Sequence, residues 1–99
     1  MGGVRVLCGE KKHAGGKLVK VCLKIQGDLV KGVFITGDFF VEPEEEFIKL
    51  TYLLSVLEAP IHNVADEVTR VLEEGKDVRI YGVTIEDVRE AIYTAVTRI

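Results

Sequence analysis

From Lys17 to Ile25 the chain alternates without a break. Val19, Val21, Leu23 and Ile25 fall on one side, and Leu18, Lys20, Cys22 and Lys24 on the other. A period of two held over that length belongs to a strand; a helix would scatter those apolar residues around its circumference. Gly27–Asp28 follows directly, a residue pair that accepts the backbone of a tight turn. Leu29 to Thr36 is then the return strand of a hairpin. Two strands with one apolar face are marginal in water until something covers that face, so the remainder of the chain must supply the cover.

The segments on either side fit this demand. Val4 to Cys8 alternates weakly and predicts a further strand, followed by a polar turn from Glu10 to Gly16. Val33–Phe34–Ile35 is apolar on both faces, whereas a half-solvated antiparallel strand usually alternates. It predicts cover on both sides, helices on one and a neighbouring element or partner on the other. Pro43 at a first helical position, with Glu44, Glu45 and Glu46 behind it, opens a helix expected to run to about Glu58. Its apolar residues Phe47, Ile48, Leu50, Leu53, Leu54 and Leu57 cover more than one stripe and predict heavy burial. Ala59–Pro60 breaks it. Asn63 caps a second helix, with Val64, Val68, Val71 and Leu72 on one face, ending near Gly75. Asp77 to Gly82 is a short, partly extended connection. Thr84–Ile85–Glu86–Asp87 has the form of a capping box, with Asp87 in the place of Glu. Ile85, Val88, Ile92, Ala95, Val96 and Ile99 then form a stripe to the C-terminus. About three antiparallel strands followed by three helices packed on one face of the sheet make an α+β domain.

Size sets limits on function. A chain of 99 residues and 11.0 kDa forms one domain. It buries ~65% of its unfolded surface, enough for one core but not for a core plus a deep enclosed active site. No apolar run reaches the ~20 residues of a membrane span, and Met1 to Glu10 lacks the pattern of a signal peptide, so a cytoplasmic location is expected. Two cysteines, Cys8 and Cys22, stand in no metal-ligand spacing. One disulfide is open to them, but two free thiols are the expectation in a reducing cell. Net charge is −3 but divides sharply: Met1 to Gly37 carries seven Lys/Arg against two acids, and Asp38 to Ile99 six against fourteen. That acidic half argues against nucleic-acid binding by the helices. The basic half suits phosphate or an acidic partner.

Few residues suggest chemistry. His13 and His62 belong to no metal or nucleophile motif, and both read as solvated side chains. Gly15–Gly16–Lys17 has the glycines and lysine of a phosphate loop, but Leu18 and a strand follow the lysine where a Ser/Thr and a helix are required. The turn offers backbone N–H groups and Lys11, Lys12 and Lys17 to a phosphate held mainly by another chain. The acids from Glu42 to Glu46 mark a helix start, since consecutive helical residues share no face. Cys22, flanked by Lys20 and Lys24, is a candidate reactive thiol. No residue reads as catalytic, and no metal set is present.

Three stretches in order carry a resemblance: Gly15–Gly16–Lys17–Leu18–Val19–Lys20–Val21, Ile35–Thr36–Gly37–Asp38–Phe39–Phe40, and Tyr81–Gly82–Val83–Thr84–Ile85–Glu86–Asp87–Val88. Together they resemble the C-terminal accessory domain of lipoate–protein ligases, from about Lys11 to Ile99. His13–Ala14 departs from the apolar residue and proline of that pattern. The resemblance implies a fold like that of sulfur-acceptor and iron–sulfur scaffold proteins. It further implies a stand-alone small subunit of a two-chain ligase, covering residues 1–99 and needed for ATP-dependent formation of lipoyl-adenylate. ATP, Mg and lipoate would then be held by the catalytic subunit, the partner in a heterodimer, and neither nucleic acid nor membrane is implied. In that setting Gly15, Gly16 and Lys17 face the partner's nucleotide site, Gly37 and Asp38 shape the strand-to-helix turn, and Phe39 and Phe40 pack. A thiol-based sulfur or iron–sulfur carrier and a general interaction module are the competing readings.

Overall fold

The structure is a computed structural model and describes residues 3–99. The alternating segment forms β2 (Leu18–Gln26), paired antiparallel with β1 (Val4–Lys12) on one side and β3 (Leu29–Gly37) on the other. Val19, Val21, Leu23 and Ile25 are completely buried, as their period of two requires. β1 runs on to Lys12 rather than ending at Cys8. Glu10, Lys11 and Lys12 find partners in Lys20, Val19 and Leu18, and the turn shortens to the residues between Lys12 and Leu18. A two-residue strand, β5 (Ala59–Pro60), pairs with Leu29 and Val30 and completes a sheet of order β1-β2-β3-β5. Ala59–Pro60 thus both ends a helix and edges the sheet. A separate ribbon joins β4 (Phe40–Glu42) to β6 (Arg79–Tyr81).

Three helices complete the α+β fold: α1 (Glu44–Ser55), α2 (Val64–Glu74) and α3 (Ile85–Val96). A 3₁₀ turn, Ile61–Asn63, leads into α2, and Asn63 occupies the N-cap position without a side-chain cap bond. The core lies between one face of the sheet and the helices. Val64, Val68 and Leu72 of α2 and Val88, Ala91, Ile92 and Ala95 of α3 close over Val21, Leu23, Ile25, Val30 and Val33. Arg89 ties the two helices together, its guanidinium donating to Thr69 Oγ1 at 2.9 Å and pairing with Asp66 at 3.0 Å. α3 lies flush on β1. A Cβ at Gly9 would stand 2.1 Å from Ala91 O and 2.5 Å from Ala95 N, so this crossing admits only glycine.

Several expectations change with the packing. α1 ends at Ser55, not near Glu58, and only Leu50 and Leu54 are buried; Ile48 and Leu53 face solvent. The helix sits beside β3, the ribbon and α2, and these touch a single stripe of it. α3 stops at Val96, which leaves Ile99 exposed beyond the end of the predicted stripe. The second face of the sheet has no cover among the described residues: Val4, Val6 and Phe34 are exposed. The accessible surface, 6043 Å², accordingly exceeds the ~5,600 Å² of a compact chain this size.

On that open face Cys8 and Cys22 stand directly opposite each other and form a disulfide. The expectation of two free thiols is therefore overturned, and with it the reactive thiol at Cys22. The two cysteines are 14 positions apart along the chain, but the β1–β2 register makes them cross-strand neighbours. No helix among the described residues is long and apolar enough to cross a membrane.

Candidate functional site

The β1–β2 turn is the place where the basic half of the sequence meets the rest of the fold. Gly15 and Gly16 both have φ of +101°, a conformation that a Cβ would oppose. The turn is closed twice by His13, whose N–H donates to Lys17 O at 2.7 Å and whose carbonyl accepts from Gly16 N–H at 2.9 Å. The Gly16 amide is thereby engaged within the turn. No hydrogen bond or ion pair engages the ammonium groups of Lys12 and Lys17 among the described residues.

Asp38 secures the exit of the turn. Its Oδ1 accepts the Leu18 N–H at 2.6 Å, while its own N–H donates to Leu18 O at 3.2 Å. Asp38 therefore does more than shape the strand-to-helix turn: it pins the start of β2 to the end of β3. Phe40 is mostly exposed rather than packed, and the Lys17 ammonium lies 5.7 Å from the centre of its ring. That is within the range of a cation–π contact. Phe39 does pack, edge-on to Phe47 with ring centres 6.1 Å apart. The stem of Lys17 lies against Gly82, where an added Cβ would meet Lys17 Cγ at 3.0 Å. Phe40 itself pairs with Tyr81 across the ribbon. The three stretches that carry the family resemblance are far apart in sequence, yet the first contains Lys17 and Leu18 and the other two both touch them, through Asp38 and Phe40 and through Gly82.

Anchoring from α3 is the feature that sequence reading missed. His13 is not a free solvated side chain: its Nδ1 lies 2.6 Å from Asp87 Oδ2. Asp87 also completes the expected capping box, its Oδ2 accepting the Thr84 N–H at 2.8 Å while Thr84 Oγ1 accepts the Asp87 N–H at 3.1 Å. Asp87 is only 5% exposed, the one buried charged side chain among the described residues. Burial pushes its carboxyl up. The opposing effects of the Thr84 backbone N–H, the His13 ring, the Thr84 side chain and the positive charge on His13 prevail, and hold it below the ordinary 3.8. One turn further along α3, Glu90 pairs with Lys11 at 3.3 Å, which removes Lys11 from the set of free cations at the turn. Nothing local signals the His13–Asp87 bond, because 74 positions separate the partners. The only hint is an aspartate at a capping position, whose carboxylate oxygen can accept a second bond beside that of the Thr84 N–H.

Elsewhere the chain offers little chemistry. A hollow of about 230 Å³ is lined by Leu50, Leu72, Val78, Ile80, Val83 and Ile85, with Thr84 its only polar side chain. No three His, Cys, Asp or Glu side chains converge among the described residues.

No protein-family model matches the chain, and no curated protein matches it at a significant level. Among solved structures, one similar chain belongs to the archaeal lipoylation system of Thermoplasma acidophilum, a bi-partite lipoate protein ligase with its E2 lipoyl domain. It superposes with a TM-score of 0.63 at 27% sequence identity, over 93% of this chain and 97% of that one. With so little unmatched on either side, the two chains are nearly equal in length.

Proposed function

We propose that this chain is the small, non-catalytic subunit of a two-chain lipoate–protein ligase. The observation that carries this reading is the near end-to-end match to a chain of similar length from a bi-partite ligase system. It supports a role in lipoylation. The gathering of three separate motif stretches around one lysine-bearing turn supports the finer assignment, since a merely structural turn does not require Lys17, Phe40 and Gly82 to meet.

In this reading the catalytic subunit binds ATP, Mg and lipoate, and the two chains form a heterodimer. The lipoate carboxylate attacks the α-phosphorus of ATP, pyrophosphate leaves, and lipoyl-adenylate forms. The small subunit covers the nucleotide, excludes water and places fixed positive charge where negative charge accumulates in the transition state. Lys17, steadied over Phe40, and the turn formed by Gly15 and Gly16 face that nucleotide. The disulfide disfavours the competing thiol-carrier reading, because both sulfurs are already bonded.

The test is lipoate-dependent ATP–pyrophosphate exchange by the catalytic subunit from the same source, with and without this chain. Exchange that appears only with the chain present supports the assignment. Equal exchange without it refutes the assignment. Lys17→Ala lowers adenylate formation and spares lipoyl transfer from preformed lipoyl-adenylate. If adenylation is unchanged in that variant, Lys17 has no part in it.

A further inference from the structure

His13 occupies an unusual mechanical position. Its backbone closes the glycine turn at both ends, through its N–H to Lys17 O and its carbonyl to Gly16 N–H. Its side chain is bonded to a buried carboxylate at the start of α3. Asp87 cannot easily yield, since the same Oδ2 is held by the Thr84 N–H and the Asp87 backbone is held by Thr84 Oγ1. Fixing the His13 ring thus fixes the residue on which both hydrogen bonds of the turn depend. Asp38 performs the same service at the exit of the turn, through Leu18. The loop that presents Lys17 is therefore held at each end by a carboxylate, Asp87 of α3 at one and Asp38, just beyond β3, at the other.

We infer that His13 is a positioning residue: its Nδ1 bond to Asp87 sets the Gly15–Gly16–Lys17 turn, and it acts through that bond and not by touching nucleotide. The charged groups around it are Asp87 and Glu90 from α3 and Lys11, Lys12 and Lys17 from the hairpin. Glu90 is matched by Lys11. The partly exposed side chain, 37% accessible, leaves Nε2 as the atom through which a direct role would have to operate. The two imidazole nitrogens can be told apart chemically, because an asparagine amide reaches the position of Nδ1 and a glutamine amide that of Nε2. The inference rests on the ligase reading for its functional consequence, but its structural part does not.

Three variants, His13→Asn, His13→Gln and His13→Ala, separate the possibilities in two assays. The first is pyrophosphate exchange by the complete two-chain complex. The second is amide hydrogen exchange of Gly16 in the free chain, read by NMR, which needs no partner. His13→Ala and His13→Gln are expected to lower pyrophosphate exchange by about tenfold, the loss expected of a hydrogen bond to a charged group. They are also expected to speed Gly16 hydrogen exchange by a similar factor, as the bond to His13 O loosens. His13→Asn keeps both within about threefold of wild type, since one charge-assisted donor replaces another. If His13→Gln retains activity while His13→Asn loses it, Nε2 touches the partner or its nucleotide, and the inference is overturned. Gly16 hydrogen exchange unaltered in His13→Ala overturns it as well. If wild-type chain never stimulates the catalytic subunit, the ligase reading falls, and Gly16 hydrogen exchange in the three variants still decides whether His13 sets the turn.

Discussion

Replacing Gly9 by alanine tests the packing on which the site depends. The added Cβ would stand 2.1 Å from Ala91 O, 2.5 Å from Ala95 N and 3.0 Å from Thr94 Cβ, where ordinary contact begins near 3.4 Å. The two closest atoms belong to the backbone of α3, so no side chain can rotate aside. Strand and helix must separate by more than an ångström. That separation unpacks Ala91, Ile92 and Ala95, which are fully buried, and pulls on the Lys11–Glu90 and His13–Asp87 links beyond the contact. Overpacking costs about 1–3 kcal/mol and occasionally more. A backbone-on-backbone clash belongs at the upper end. At about 3 kcal/mol, with ~4–8 °C per kcal/mol for a domain this size, the melting temperature should fall by ~12–24 °C. Gly3→Ala is the control, as nothing lies within 4 Å of its Cβ position. Thermal unfolding followed by circular dichroism reads both variants. A Gly9→Ala protein that melts within about 2 °C of wild type, less than ~0.5 kcal/mol, refutes the close approach of α3 to β1.

Other outcomes follow from the same contacts. Because Asp87 is held below its ordinary 3.8 in the folded chain, the stability it contributes is complete above that value and is lost as pH falls through the lower, folded value. Urea titrations between about pH 6 and pH 2 should therefore show a shallower acid loss in Asp87→Asn than in wild type; parallel curves would remove the His13–Asp87 bond from the account. The Cys8–Cys22 bond spans a separation of 14 residues. Reduction should lower stability by ~1–3 kcal/mol, the hairpin already constraining those residues in part; melts with and without dithiothreitol measure this, and identical curves would refute a stabilising role for the bond. Lys17→Ala in the two-step ligase assay and the His13 series complete the set, the first reporting on charge at the turn and the second on how it is held.

Short-range order was legible from residue types alone. The period of two in β2, the Gly27–Asp28 turn and the Thr84–Asp87 capping box involve residues within a few positions of each other, so side-chain chemistry and backbone preference were sufficient. The α+β class followed, because an apolar strand face requires a cover and the second half of the chain is helical. The three motif stretches could be named in order but not placed. Their meeting at Lys17 depends on the register of three strands and on the β4–β6 ribbon, neither of which has a local signature.

The failures share one cause. Whether an apolar residue is buried depends on which other element arrives at it, so Phe40, Ile48 and Leu53 read as interior and are exposed. Whether a polar residue has a partner is equally remote: His13 reaches Asp87 across 74 positions, and Cys8 meets Cys22 only because β1 and β2 align. Local patterning specifies which segments become strands and helices, because those choices are settled by neighbours along the chain. The anchored turn, the disulfide and the uncovered sheet face are settled by neighbours across it. They exist only once the layers have packed, since packing alone fixes distances between residues that the backbone leaves free.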